Sequence, residues 1–497
     1  MTPDQATTVK PSTVPGAVTT FQVSSPDLEA VVRDLAGLRL ADMFASDGEQ
    51  PTLRLVWAND TAGQAGYIIT ETPLENAEYP ALSDITPAAF IEECEIYEQF
   101  GIRPATGKPL NRVMLPPHAD LPTLGRKPQT EPEEPHAPHL VGGQAFEFPF
   151  GPVRQAGVES LYYGLVTSGE EVVDLYLFTW HKHRGLEWRL MGRTPEQALF
   201  LAERAEGLSA VAVGWALAAA AETATGTRPP DQAQRARAVA LELERLYNHA
   251  AAMAALCQST GLSVGQSAAE IALERLLRLN ARAFGHRYLF GVVSTGGASR
   301  APDADAIRED LPGAYGEFRR AADALLATNS FVDRLEATGI LTAGQARDLG
   351  LVGPVARATG LTVDARQVPG GPYEDETCVA PATGTAGDVL ARFTVMLAEA
   401  AESVRMVGQF LDAGAGAGTA ELPRTGGCGL GWAESPRGEA LAWVGLGDDG
   451  RITRARLRPA SARNWRGFDD ACRSQNVFTD IPIIEASFWL TAAGMAR

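Results

Sequence analysis

The sequence is poor in basic residues and in cysteine, and it contains no long apolar run. Lysine and arginine number 43 against 61 aspartates and glutamates, a formal net charge of −18 over 497 residues. A surface of that sign repels nucleic acid and anionic lipid headgroups alike. It excludes a nucleic-acid partner, and any work at a membrane requires a partner subunit that holds the chain there. The five cysteines (Cys94, Cys257, Cys378, Cys428 and Cys472) are scattered, which excludes a local zinc or iron–sulfur motif and argues against a disulfide framework. The most apolar stretch, "VAVGWALAAAA", is too short and too rich in alanine to cross a bilayer, so no direct membrane span is expected. The start, "MTPDQATTVKPSTVPGAVTT", lacks the basic and then apolar pattern of a signal peptide. Residues 1–22 read as a disordered polar tail, and the chain as cytoplasmic. Standard catalytic motifs are missing too: there is no phosphate loop with its lysine, no Gly-x-Ser-x-Gly elbow and no His-Glu-x-x-His. "GAGAGTAEL" follows a helical pattern rather than a strand and reads as a flexible loop.

What is present suggests two or three domains. Residues 23–115 form the first, with strands at "LRLVWA" and "AGYIIT". A helix follows at "TPAAFIEECEIYEQFGI": Phe90, Ile91, Cys94 and Tyr97 make its apolar face, the acids lie on the other, and Gly101 ends it. Residues 116–143 are proline-rich and aperiodic, the composition of a semi-rigid linker. His136 and His139 lie inside it with nothing nearby to complete a metal site. Residues 144–497 then run from strands ("FEFPFGPV", "LYYGLVT", "EVVDLYLFTW") through long helices to strands again ("EALAWVGLG", "RITRARLRPA"). One helix is expected to run unbroken from Pro195 to about residue 224, capped by Thr194, and another to start with Asp231 as its cap. The fold class is α+β: a small N-terminal α/β domain, then a mainly helical large domain with β-strands at its two ends.

Charges stand in segments that otherwise read as buried. They are Arg154 and Glu159; His181, His183, Arg184 and Glu187; Glu203, Arg204 and Glu206; Arg245 and His249; His286 and Arg287; Glu434, Arg437 and Glu439. Burying an ion costs several kcal/mol unless it is paired. Two readings follow, a network of structural ion pairs or a polar cavity with a proton-relay route. On a strand, His181 and His183 would share a face, but a third metal ligand is lacking.

The fragments "GPVRQAGVES", "HRGLE", "RTPEQALFLAERAEG", "ELERLYNH", "GDVLARF", "ESPRGE" and "RPASARNWRGFDDA", in that order, resemble the large subunit of energy-converting [NiFe] hydrogenases of the formate-hydrogenlyase type. They equally resemble the 49 kDa quinone-site subunit of respiratory complex I. "EYPAL", "EECEIYEQFGI" and "PLNRVMLP" resemble the 30 kDa subunit of complex I, fused ahead. The resemblance implies two Cys-x-x-Cys pairs that hold nickel and iron, but here those positions are Glu206 with Ser209 and Thr491 with Gly494. Four thiolates are replaced, so no metal centre is expected in this chain. The complex I version implies an acid and a serine at Glu206 and Ser209, which agrees. It also implies a quinone-binding tyrosine and histidine, and these fall on Gly207 and Val158, with another family histidine on Arg154. The implied function is a subunit of a membrane-associated redox complex, peripheral at the cytoplasmic face of the inner membrane. Its partners would be a small iron–sulfur subunit, which carries the cluster, and antiporter-like membrane subunits; the chain itself would bind no cofactor, except for a quinone-like acceptor in the relic pocket. Glu206, Arg204, Glu203 and Arg437 are the candidate catalytic residues. Arg154, Glu159, His183 and Ser209 are the candidates for holding an acceptor. The alternative is a non-catalytic assembly scaffold. An acid at Glu206 would keep its proton to higher pH unless Arg204 or Arg437 pairs with it.

Overall fold

The computed structural model describes residues 18–48, 50–61, 64–117, 123–134, 145–154, 159–370, 373, 379–473 and 475–497. Val158, His136, His139, Cys378 and residues 1–17 of the expected tail lie outside them. The chain divides into two compact units: Met1–Pro135 with Gln367–Gly370, and His136–Arg366 with Gly371–Arg497.

In the first unit, β1 (Val18–Gln22), β2 (Arg39–Ser46), β3 (Thr52–Asn59) and β4 (Gly66–Pro73) form a sheet ordered β1-β4-β3-β2. β1 runs parallel to β4 and the other pairs are antiparallel. The expected disordered tail therefore ends at least five residues early, because Val18–Gln22 gains a strand partner in β4. Helix α1 (Leu28–Leu35) and helix α2 (Phe90–Phe100) cover the sheet, and Leu28, Val32, Leu53, Leu55, Trp57 and Phe100 meet in the core. Two short parallel strands, β5 (Glu78–Pro80) and β6 (Arg103–Ala105), flank α2. Gly101 ends that helix at φ 62°, as its sequence requires.

Two expectations for this unit change. Residues 123–134 fold back rather than bridging domains: the Glu133 N–H donates to the Leu110 carbonyl at 2.9 Å, and the Tyr97 hydroxyl donates to that of Thr130 at 2.7 Å. The acids of α2 are also buried, with Glu93 at 0% and Glu98 at 2% exposure. Each is turned to loop amides. Glu93 accepts from Leu82 (2.6 Å) and Ser83 (3.2 Å), and Glu98 from Met114 (2.8 Å) and Leu115 (2.9 Å).

The second unit opens with an antiparallel sheet of β7 (Ala145–Phe150), β8 (Tyr162–Ser168) and β9 (Glu171–Phe178). Helices α3 (Leu186–Leu190), α4 (Pro195–Ala202), α5 (Ala210–Thr225), α6 (Asp231–Ser259), α7 (Ser263–Phe284) and α8 (Ala304–Leu326) follow. Strands β10 (Val293–Ser294) and β11 (Gly297–Ala298) lie between α7 and α8 and pair with each other, and β11 also pairs with β12 (Gly418–Thr419). Part of the glycine-rich "GAGAGTAEL" segment is thus a strand rather than a free loop. Short helices α9 (Asn329–Leu335), α10 (Ala343–Asp348) and α11 (Gly353–Arg357) lead to the long α12 (Val389–Asp412). A second antiparallel sheet of β13 (Gly427–Ser435), β14 (Gly438–Leu446) and β15 (Ile452–Arg458) closes the unit with α13 (Ala460–Arg473), α14 (Ile481–Phe488) and α15 (Ala492–Met495). This is the expected α+β class. Among the described residues no helix is long and apolar enough to cross a membrane.

The alanines of α5 have a packing reason. Gly429 and Gly431 on β13 lie so close to the helix that an added Cβ would stand 2.1 and 2.2 Å from the carbonyls of Ala220 and Ala216. Small residues on both surfaces let a helix sit directly on a strand.

Thr194 caps α4 with a complete capping box to Gln197. The helix it starts does not run on to residue 224. It stops at Ala202, and α5 begins only at Ala210. Residues 203–209 form a turn whose polar side chains bind other elements instead of riding on a helix. Asp231 is the first residue of α6, and Pro230 holds the cap position.

Candidate functional site

The break between α4 and α5 is the first wall of the site. Ser209 sits at the N-cap of α5, yet its hydroxyl does not cap the helix. It accepts instead from Arg437 Nη1 at 2.6 Å. Arg437 lies in the tight turn between β13 and β14 and also donates through Nε to the Trp489 carbonyl. Glu206 faces the same guanidinium, with Oε2 3.7 Å from Nη1. Its other oxygen accepts from Thr491 Oγ1 at 2.8 Å and from the Ser461 hydroxyl. Gly494 completes the group: its N–H donates to Thr491 Oγ1 at 3.0 Å, and an added Cβ would meet Glu206 Oε1 at 2.8 Å. Glu206 and Ser209 are 0% exposed, Arg437 2% and Thr491 8%. Residues 206 and 209 thus meet residues 491 and 494, from the far end of the sequence, in one buried cluster beside Arg437.

A second acid, missed from the sequence, belongs to the same cluster. Glu244 on α6 accepts from the Val211 N–H at 2.8 Å and the Ala212 N–H at 3.1 Å. It supplies the cap that Ser209 withholds from α5. Burial pushes its carboxyl up to about 8, and the nearby Glu206 adds to the rise, while the two amides and Arg437 oppose it. No residue pattern pointed to it, since its donors are backbone amides of α5. Tyr247 (3.1 Å) and Asn248 (2.7 Å) donate to the Leu208 carbonyl and pin the turn to α6.

The remaining sequence candidates make their contacts elsewhere. Arg204 lies 3.6 Å from Glu203 Oε2, and its half-exposed guanidinium stacks on Phe200 and Phe290, 3.8 and 4.8 Å from the ring centroids. Glu203 accepts from the Gly291 N–H at 2.8 Å, and burial raises its carboxyl. Arg154 forms a bidentate pair with Glu485, at 2.9 and 2.6 Å. Glu159 accepts from the Ala493 N–H at 3.0 Å, and Arg184 donates to the carbonyls of Arg204 and Ala205. These contacts hold the 203–209 turn and the C-terminal helix rather than lining the Arg437 cluster. His183 follows a helical turn at Trp180–Lys182, so it shares no strand face with His181. Burial and the Arg497 and Arg184 guanidiniums push it down to about 4.

Beyond the Arg437 turn lies a separate buried ion network. Arg357 contacts Glu399 (2.7 Å) and Glu434 (2.8 Å), Arg245 contacts Glu242 (3.0 Å), and Arg366 contacts Asp364 (2.7 Å). His249 stands 3.0 Å from Glu399, and Tyr373 donates to Glu242 at 2.7 Å. Burial alone would raise Glu242, but Arg245 and Arg366 hold it below the usual carboxylate range. Glu434 is pushed up to about 7 by burial and by Asp364. Here the structural reading of the buried charges applies.

The donor set around Arg437 does not fit a nickel–iron centre. A carboxylate, two hydroxyls and a glycine hydrogen replace four thiolates, and a guanidinium is bonded directly to one of the hydroxyls. Among the described residues no group of three or more His, Cys, Asp or Glu side chains is placed to hold a metal ion.

The architecture and the convergence of these four positions define a class, the large subunits shared by nickel–iron hydrogenases and respiratory NADH dehydrogenases. Residues 269–425 match the family of the respiratory-chain NADH dehydrogenase 49 kDa subunit, and residues 21–132 that of the 30 kDa subunit. Formate hydrogenlyase subunit 5 of Escherichia coli (strain K12) is 27% identical over 454 residues, 84% of this chain and 76% of that one. The carbon monoxide-induced hydrogenase of Rhodospirillum rubrum is 30% identical over 349 residues, 68% of this chain and 96% of that one. A chain in the structure of the membrane-bound sulfane sulfur reductase, an archaeal respiratory membrane complex, has a TM-score of 0.66 at 22% identity; the match covers 72% of this chain and 100% of that one, and it shows the shared fold. This chain belongs to the hydrogenase and complex I large-subunit family, with a 30 kDa-type domain fused ahead of it.

Proposed function

We propose that the chain is a subunit of a membrane-associated redox complex related to complex I and the energy-converting hydrogenases, and that its relic metal pocket works as a closed polar relay for protons. One observation carries this reading. Glu206, Ser209 and Thr491, at positions that the resemblance assigns to metal-binding thiolates, are all hydrogen-bonded or ion-paired within a single buried cluster around Arg437. Maintaining buried charge at the old pocket costs stability, which favours a working role over neglect. Dense internal hydrogen bonding supports proton holding over seating a quinone-like acceptor. By relation to the family, a small iron–sulfur subunit would dock on the large unit, and antiporter-like membrane subunits would hold the assembly at the cytoplasmic face of the inner membrane.

The test uses the purified complex, comparing wild type with Glu206→Gln for acceptor reduction and proton transfer. The relay predicts a fall in rate of about a hundredfold or more. Unchanged rates in a fully assembled complex would make the chain a scaffold.

A further inference from the structure

Two buried carboxyls stand at this site with one guanidinium. Glu206 lies 3.7 Å from Arg437 Nη1, and Glu244, buried at 0% exposure, binds the Val211 and Ala212 amides just beyond Ser209, the residue whose hydroxyl Arg437 bonds. With both acids ionised the trio would carry a net negative charge away from water; with one protonated it is neutral, and the charging cost disappears. Among the described residues, Arg437 supplies positive charge that acts on Glu244. Toward Glu244, α5 offers the amides of Val211 and Ala212, the turn offers Glu206, and the β13–β14 hairpin offers Arg437. On its own helix the neighbours are Tyr247 and Asn248, which bond the Leu208 carbonyl. Arg245, next in sequence, is turned away to Glu242 and to the carbonyls of Glu434 and Ser435. Glu206 Oε2 is buried and accepts no hydrogen bond among the described residues, so an acceptor oxygen remains beside the arginine.

We infer that Glu206 and Glu244 form a one-proton site around Arg437, in which Glu244 holds the proton. The assignment deepens the relay proposed above and rests on it only for its use in turnover; the proton site itself is a property of the chain. Protonation forms the O–H bond on a Glu244 oxygen and leaves Glu206 as the partner of Arg437. Deprotonation releases one proton and leaves Glu244 as a second carboxylate beside the single guanidinium of Arg437.

Infrared titration of the full-length chain tests this without any redox partner. The carbonyl-stretch band of a protonated carboxyl should be present in wild type at pH 6, fade with a midpoint near pH 8, and be missing from the difference spectrum of Glu244→Gln. In Glu206→Gln the competing negative charge is gone, so the Glu244 band should fade at a pH lower by about one unit or more. This second variant keeps the test decisive if Glu244→Gln fails to fold, since a purely structural Glu244 would show no coupled midpoint. A wild-type spectrum that Glu244→Gln leaves unchanged, or a midpoint that Glu206→Gln does not move, overturns the inference. A titrating pair in a complex whose turnover ignores Glu206 would defeat the relay and leave the proton site standing.

Discussion

Helix α2 in the first unit and helix α6 in the second both bury glutamates, and they do so by opposite means. On α2, Glu93 and Glu98 take their hydrogen bonds from loop amides. On α6, Glu242 takes its bonds from Arg245, Arg366, Ser403 and Tyr373. Titration follows the partners. Burial raises Glu93, and lifts Glu98 to about 7, because two neutral donors do not offset the lost hydration. Glu242 is held low, since two guanidiniums outweigh the same burial. Glu244, two residues along α6, breaks the pattern of its own unit: its hydrogen bonds come from two amides, as in α2, and it behaves like Glu98. A buried acid's role is therefore set by what donates to it and not by the helix it sits on.

The sharpest way to break this comparison is Arg357→Met. It strips the cation from Glu399 and Glu434 together while the acids stay buried. Removing one partner of a buried pair leaves an uncompensated charge, and a loss of about 3–5 kcal/mol is expected in chemical denaturation of the second unit. Glu98→Gln in the first unit should cost less, about 1–3 kcal/mol, because its amide oxygen still accepts one of the two loop N–H groups. Hydrogen exchange at the Met114 and Leu115 amides would locate that loss in the loop. If both substitutions cost the same, the distinction between amide-held and guanidinium-held acids has no energetic content.

The pH dependence separates the two classes by sign. Glu98 and Glu244 have folded values above the ordinary carboxylate value of 4.5, at about 7 and about 8. The folded state binds their protons more tightly than the unfolded chain does, so their contribution is full below pH 4.5 and is lost as pH rises through the folded values. Glu242 has a lowered value, so its contribution is present above pH 4.5 and lost on acidification. Stability measured from pH 5 to 8 should therefore slope downward, and Glu98→Gln should flatten the part of the slope below pH 7. A slope that keeps its size in Glu98→Gln would show that the loop amides already hold Glu98 ionised.

Much of this was legible in the sequence. The strands, the long helix that starts at Asp231, the Thr194 cap and the Gly101 stop follow from periodicity and turn chemistry. The placement of 206, 209, 491 and 494 at one point came from the family resemblance, since no local pattern links residues nearly 300 apart. The break at 203–209 was not legible. "AERAEGLSA" contains no proline, and only Gly207 weakens the helix; tertiary bonds from Arg184, Tyr247 and Asn248 to its carbonyls decide the matter. Glu244 was hidden for a related reason. Its donors are backbone amides of another helix, and backbone donors leave no trace in residue identity.

The smallest effect is expected where the sequence pointed most directly. Arg204 stands only two residues from Glu206, and the sequence puts it among the catalytic candidates. The turn carries it outward instead, where it stacks on Phe200 and Phe290 and pairs loosely with Glu203. A half-exposed pair of this kind contributes under about 1 kcal/mol after solvent screening, and the ring contacts add a comparable amount. Arg204→Gln should accordingly leave denaturation midpoints nearly unchanged and the Glu244 carboxyl band at its wild-type midpoint, whereas Arg437→Gln should move that band to higher pH by removing a cation that favours the ionised carboxyl. Equal shifts from the two substitutions would place Arg204 inside the cluster and remove the difference between the outer and inner faces of the turn.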